Sequence, residues 1–179
     1  FESPITTRLI HDAFFGCLEL KLSCPNDKLQ GVIDSGLFYV SSVQSMNLYK
    51  VRKKSMQARP SELDSIISML RADLLYNTKR FESWYLLGRC YSYMVEDDLI
   101  WTSDKLSTLE KKKGTAYTQR KAILCYLMSV GTFLAQRENK DIQEDVDNNL
   151  ILKKVLEALG VETLNGYLKP MHKLCFQWR

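Results

Sequence analysis

Histidine is nearly absent from this chain, with two in 179 residues, and glycine and proline are scarce at eight and four. Few turn formers exclude a sheet with many tight connections and favour long helices. His11 and His172 cannot build a zinc site, which needs four protein ligands, or three and a water. His172 has only Cys175 nearby, and His11 with Asp12 does not share a helical face. The five cysteines, Cys17, Cys24, Cys90, Cys125 and Cys175, form no C-x-x-C pair, and their odd count does not suit a disulfide framework. Cys17, Cys90 and Cys125 sit among apolar residues and read as small core side chains in a reducing compartment. There is no Walker loop, no G-x-G-x-x-G and no G-x-S-x-G, so neither a nucleotide cofactor nor an elbow nucleophile is expected. The longest apolar stretch, Ile123 to Ala135, contains Ser129, Gly131 and Thr132 and falls short of the roughly 20 residues a bilayer requires. These absences exclude a cofactor, a metal and a membrane span, and argue against an enzyme. The chain opens on Phe1 rather than methionine, which reads as a fragment of a longer protein.

What is present is a set of helical stripes. Ser3 and Pro4 start a helix, followed by Ile5, Leu9, Ala13, Phe14, Cys17 and Leu18 at spacings of three and four. A second helix is expected to carry Leu29, Val32, Ile33, Gly36, Leu37 and Val40, with Gly36 allowing a neighbour to approach. After a connector from Ser55 to Pro60, Ser61 with Asp64 resembles a capping box, and Leu63, Ile66, Ile67, Leu70 and Leu74 form a third stripe. A fourth helix is expected from Phe81 to Val95, a fifth from Arg120 to Leu134, and a sixth from Leu150 to a C-terminal cap at Gly160. Between the fourth and fifth, residues 95–119 read as a long loop. The resulting division is an N-terminal helical pair over 1–54, a repeat over 60–135, an acidic linker over 136–147, and a C-terminal helical segment over 148–179. The predicted class is all-α.

Trp84, Leu87, Gly88 and Tyr91 fit W-x-x-L-G-x-x-Y, the first-helix signature of a tetratricopeptide repeat. The spacing puts the large residues on one face, and glycine lets the paired helix come close. Ala122 and Tyr126 supply the small-then-aromatic pair expected on the second helix, and Trp84, Leu87 and Tyr91 are expected to pack on them. Ala122 lies 38 residues after Trp84, so about 22 residues are inserted relative to an ordinary repeat. The predicted architecture is a tetratricopeptide-like α-solenoid segment with a long insertion between paired helices. Such insertions project from one face of a solenoid, often a binding face. The candidate contact residues there are Glu96, Asp97, Asp98 and Trp101. The three adjacent acids lack the spaced ligands of a calcium loop.

Particular runs go beyond periodicity. Arg80–Trp84, the stretch Val95–Leu106, Gln119–Lys121 with Leu124–Met128, Val32–Phe38 and Val51–Met56 together resemble one family. It is the large helical-repeat subunit of the HIR histone chaperone complex in its fungal form, related to the animal calcineurin-binding protein cabin. The likeness covers Leu29 to Met128, and the Val95–Leu106 run is its most specific part. The resemblance implies a nuclear scaffold that holds together a WD-repeat subunit and a histone-binding subunit. It also implies contact with histones through those subunits, in an assembly that deposits histones outside replication and represses histone genes. It brings no catalytic residues.

The net charge is only +4. Its basic clusters are Arg52, Lys53 and Lys54, and Lys111, Lys112 and Lys113. Arg52, Lys53 and Lys54 are expected on the surface as an electrostatic aid to a partner, with DNA among the options. The alternative function is therefore an all-α nucleic-acid-binding module, which a steep salt dependence would reveal. Self-association is left open.

Overall fold

The computed structural model describes residues 27–101, 108–138, 146–168, 171 and 173–177. The stripe from Ile5 to Leu18, Cys17, Cys24, both histidines and most of the acidic stretch lie outside the described residues. The described ones form helices α1 (Asp27–Asp34), α2 (Leu37–Lys54), α3 (Pro60–Tyr76), α4 (Phe81–Trp101), α5 (Leu109–Glu138) and α6 (Val146–Tyr167), then a 3-10 turn over Leu174–Phe176. No strand occurs among them. Each helix from α3 to α6 packs on its predecessor, and α4 with α5 makes the most extensive pair.

Two apolar clusters account for this order. Met46 and Tyr49 of α2, Leu63, Ile66, Ile67, Leu70 and Leu74 of α3, and Leu86, Leu87 and Cys90 of α4 bury one common core. The α3 stripe is buried at every position the sequence singled out. On the other side of α4, Ala122 and Tyr126 of α5 meet Val155 and Ala158 of α6, with Tyr85 and Tyr91 packed against them. Helix α4 is thus the central layer, which is why its apolar residues run nearly all round.

A buried ion pair fixes the entry to that layer. The carboxylate of Asp73 is fully buried and accepts from Arg80 Nη1 at 2.5 Å and Ser83 Oγ at 2.6 Å. The same guanidinium lies 5.7 Å from the Tyr39 ring centre, linking α2 to the α3–α4 turn. Trp84 Nε1 donates to the Thr78 carbonyl at 2.9 Å, and Gln136 of α5 donates to that of Lys79. The polar turn around Asn77–Arg80 is therefore held from both sides.

Five local expectations are corrected. The helix expected through Gly36 is broken there: Gly36 has φ +67°, a left-handed conformation costly to any residue with a Cβ, and the chain restarts as α2. Leu37 and Val40 consequently face outward. The start of α3 is Pro60, and Glu62 Oε1 accepts the Arg59 backbone N–H at 3.3 Å, so a one-sided cap lies two residues earlier than Ser61 and Asp64. Gly160 does not cap α6, which continues to Tyr167 because Glu162 and Gly166 pack inward. Trp84 sits half-buried on the α2–α3 core rather than on Ala122 and Tyr126.

The fifth correction matters most for function. Residues 95–119 are not a long loop: α4 continues to Trp101 and α5 begins at Leu109. Both helices run further than expected, and residues 102–108 join them.

Candidate interaction surface

The hairpin of α4 and α5 closes where the repeat signature lies. A Cβ on Gly88 would stand 2.6 Å from Tyr126 Cε1, so the absent side chain is what lets the two helices approach. Tyr126 is fully buried, and its hydroxyl shares a 2.7 Å hydrogen bond with Ser92 Oγ. Burial also pushes the Tyr126 phenol well above the usual range. Leu87 is buried toward α3, and Tyr91 bridges the two clusters.

Beyond this crossing, two of the charged clusters meet. Lys53 Nζ binds Glu96 Oε2 at 2.7 Å and Asp97 Oδ1 at 2.9 Å. It also lies 4.6 Å from the Tyr93 ring centre. Burial pulls the Lys53 ammonium downward, but the hydrogen bonds to Glu96 and Asp97 outweigh it and leave its pKa raised. Tyr49 donates to Asp97 Oδ2 at 3.2 Å, and its phenol is raised by burial first and by the Asp97 charge second. Arg52 Nη1 binds Glu62 Oε2 at 2.9 Å. The third acid, Asp98, turns to α5, where Thr115 Oγ1 donates to it at 2.8 Å. Arg52, Lys53, Glu96, Asp97 and Asp98 thus form a polar seam that ties α2 to α3 and α4, and α4 to α5. Lys54 is exposed. Trp101 ends α4, and its side chain lies outside the described residues.

The far end of the hairpin is different. Leu99 packs against a cluster of Ala116, Ile123, Met171 and Cys175. Ile100 and Leu109, flanking the connection, are about three-fifths exposed at 61% and 59%. Lys111 and Lys113 are exposed beside them, as is Tyr117, whose ring centre lies 4.3 Å from Lys121 Nζ. Leu109 and Tyr117 carried no signal in the sequence, because residues 95–119 read as loop and outward residues are recognised only once helix phase is known.

The remaining polar features are structural or small. Arg120 donates to the carbonyls of Cys175 at 2.7 Å and Gln177 at 2.6 Å, stapling the C-terminal turn to α5. An open cleft of about 270 Å³ between α4 and α6 is lined by Tyr85, Arg89, Lys154 and Glu157 among others. Burial pushes the Cys90 and Cys125 thiols up to about 12. Among the described residues no group of three or more potential metal ligands comes together. No described helix is long and apolar enough to cross a membrane.

Comparison with known proteins decides the family. A family model described as the HIR3 helical bundle domain matches residues 1–179. The chain belongs to the HIR3 helical bundle family. A Kluyveromyces lactis protein named histone transcription regulator 3 homolog is 55% identical over 180 residues, covering 100% of this chain and 11% of the relative. Proteins of the same name from Eremothecium gossypii and Candida glabrata are each 53% identical over 98% of this chain. The resemblance read from Val95–Leu106 and its companion runs is therefore borne out, and it extends over the whole chain. The chain spans about one tenth of the length of these curated relatives.

Proposed function

We propose that this helical bundle is a tetratricopeptide-like segment of a nuclear scaffold, through which a regulator of histone transcription binds other subunits of a histone chaperone assembly. The relatives' shared name supports the histone role. The observation that carries the binding role is the lengthened α4–α5 hairpin. Its acidic row is engaged by Lys53 and Thr115, yet its end presents Ile100 and Leu109 to solvent beside Lys111 and Lys113. An apolar pair with a basic rim suits a protein partner with a small apolar anchor and acidic surroundings. A WD-repeat or histone-binding subunit is the class of partner expected, with histones reached through it.

The test is co-purification of the full complex with Ile100→Glu and Leu109→Glu together. The reading expects loss of at least one partner subunit with an unchanged helical melting curve. A complete complex would overturn it. The alternative, direct nucleic-acid binding, is weakened by the engagement of Arg52 and Lys53 with carboxylates. A salt slope of several counterions for DNA affinity would restore it.

A further inference from the structure

Helix α5 has one face that nothing in the described residues covers. Its inward face buries Ala122, Tyr126, Ser129 and Phe133. Its outward face between Leu124 and Ala135 carries Leu124, Leu127, Met128 and Leu134, exposed by 42%, 50%, 46% and 45%. Gly131 lies at the middle of this face, with open space where a Cβ would be. From Leu124 to Ala135 there is no charged residue at all. A solvent-facing helix surface ordinarily alternates apolar residues with charged ones, so a three-turn strip without charge marks a contact.

The size of the strip identifies the occupant. Eleven rises of 1.5 Å give a length of roughly 16 Å, and one helix face is about 10 Å wide. Such a strip offers about 160 Å², well under the roughly 800 Å² per partner of a stable complex between separate molecules. A helix tethered in the same polypeptide escapes most of the translational and rotational cost of association, so a strip this small suffices for it. The neighbouring part of α5 is already covered in this way: the C-terminal turn folds back over it, with Met171 and Cys175 against Ala116 and Ile123 and Arg120 holding the turn's carbonyls. The relatives are about nine times longer than this chain, so ample polypeptide exists to continue the pattern.

We infer that the Leu124–Ala135 face of α5 is the seat of an uncharged apolar helix from elsewhere in the same polypeptide. The bundle is then an internal layer of a larger helical array. This inference does not depend on the histone reading, and it does not involve the hairpin end.

Hydroxyl-radical footprinting of the purified full-length polypeptide carrying these residues tests it, with methionine oxidation read by mass spectrometry. Three methionines serve as reporters: Met46 is fully buried, Met56 is 75% exposed, and Met128 lies on the strip. Rates are normalised to the urea-denatured protein. The inference expects Met128 to be protected about tenfold or more, as Met46 is, and equally so on dilution to the monomer. Met128 oxidised within about twofold of its denatured rate would overturn the inference, because the strip is then bare. Protection that disappears on dilution would also overturn it, by assigning the strip to a second copy.

Discussion

Gly88→Ala is the substitution whose sign tests the central packing. In an ordinary helix interior this change stabilises by about 1 kcal/mol, because alanine loses less backbone entropy than glycine. Here the new methyl would stand 2.6, 2.8 and 3.1 Å from Cε1, Cδ1 and Cζ of Tyr126. Carbon atoms pack best near 3.5–4.0 Å, so the ring must retreat by about 1 Å. It has little freedom to do so: it is fully buried, and its hydroxyl is tied to Ser92 at 2.7 Å. A 1 Å retreat would break that bond, at about 1 kcal/mol, and overpacking adds about 1–3 kcal/mol. Set against the propensity gain, the expected net loss is about 1–3 kcal/mol. Urea unfolding followed by circular dichroism measures it, with Gly160→Ala as control. Gly160 is mid-helix and exposed, with nothing within 4 Å of the added Cβ, so its substitution is expected to gain about 0.5–1 kcal/mol. If Gly88→Ala stabilised as Gly160→Ala does, the close approach of α4 and α5 would be refuted.

The other predictions rest on independent contacts. Arg80→Ala should cost about 3–5 kcal/mol, because it strands the Asp73 carboxylate in a fully buried site; urea unfolding reads the loss, and less than 1 kcal/mol would mean the pair is solvated. The Lys53 and Tyr49 pKa values are both raised by folding, so their contribution is present below the unfolded values near 10 and is lost as pH rises past them. The urea midpoint should therefore fall between about pH 10 and 11, and Lys53→Met with Tyr49→Phe should flatten that fall. Cys90 and Cys125 should resist a thiol reagent at pH 8 in the folded protein and react promptly in urea, since burial holds both thiols protonated up to about 12. Trp84→Phe should cost about 1 kcal/mol through the lost bond to the Thr78 carbonyl; no change in the urea midpoint would show that water replaces it.

The sequence determined whatever depends on local periodicity. The α3 stripe from Leu63 to Leu74 was legible because a 3.6-residue period needs no knowledge of neighbours, and every one of those positions is buried. Gly88 with Tyr126 was legible because a small residue on one apolar helix face lets an aromatic of a facing helix approach. The helix ends were not. Gly36 and Gly160 look alike in sequence as glycines near apolar runs, yet Gly36 is left-handed beside the Arg80 guanidinium, while Gly160 continues a helix held by its buried neighbours. Propensity assigns glycine a cost in a helix, and tertiary packing decides whether the chain bears it. Residues 95–119 read as loop because their charged, Ser, Thr and Gly residues leave no clear apolar stripe. They are helical up to Trp101 and from Leu109, where Leu99 packs on the Ala116 cluster and Thr115 bonds Asp98 across the hairpin. Above all, the acidic and basic clusters stand more than 40 residues apart, and nothing in a linear reading joins them. Folding α2 onto α4 brings Lys53 between Glu96 and Asp97. Charge in a sequence is a property of residues, whereas its availability to a partner is a property of what the fold places opposite.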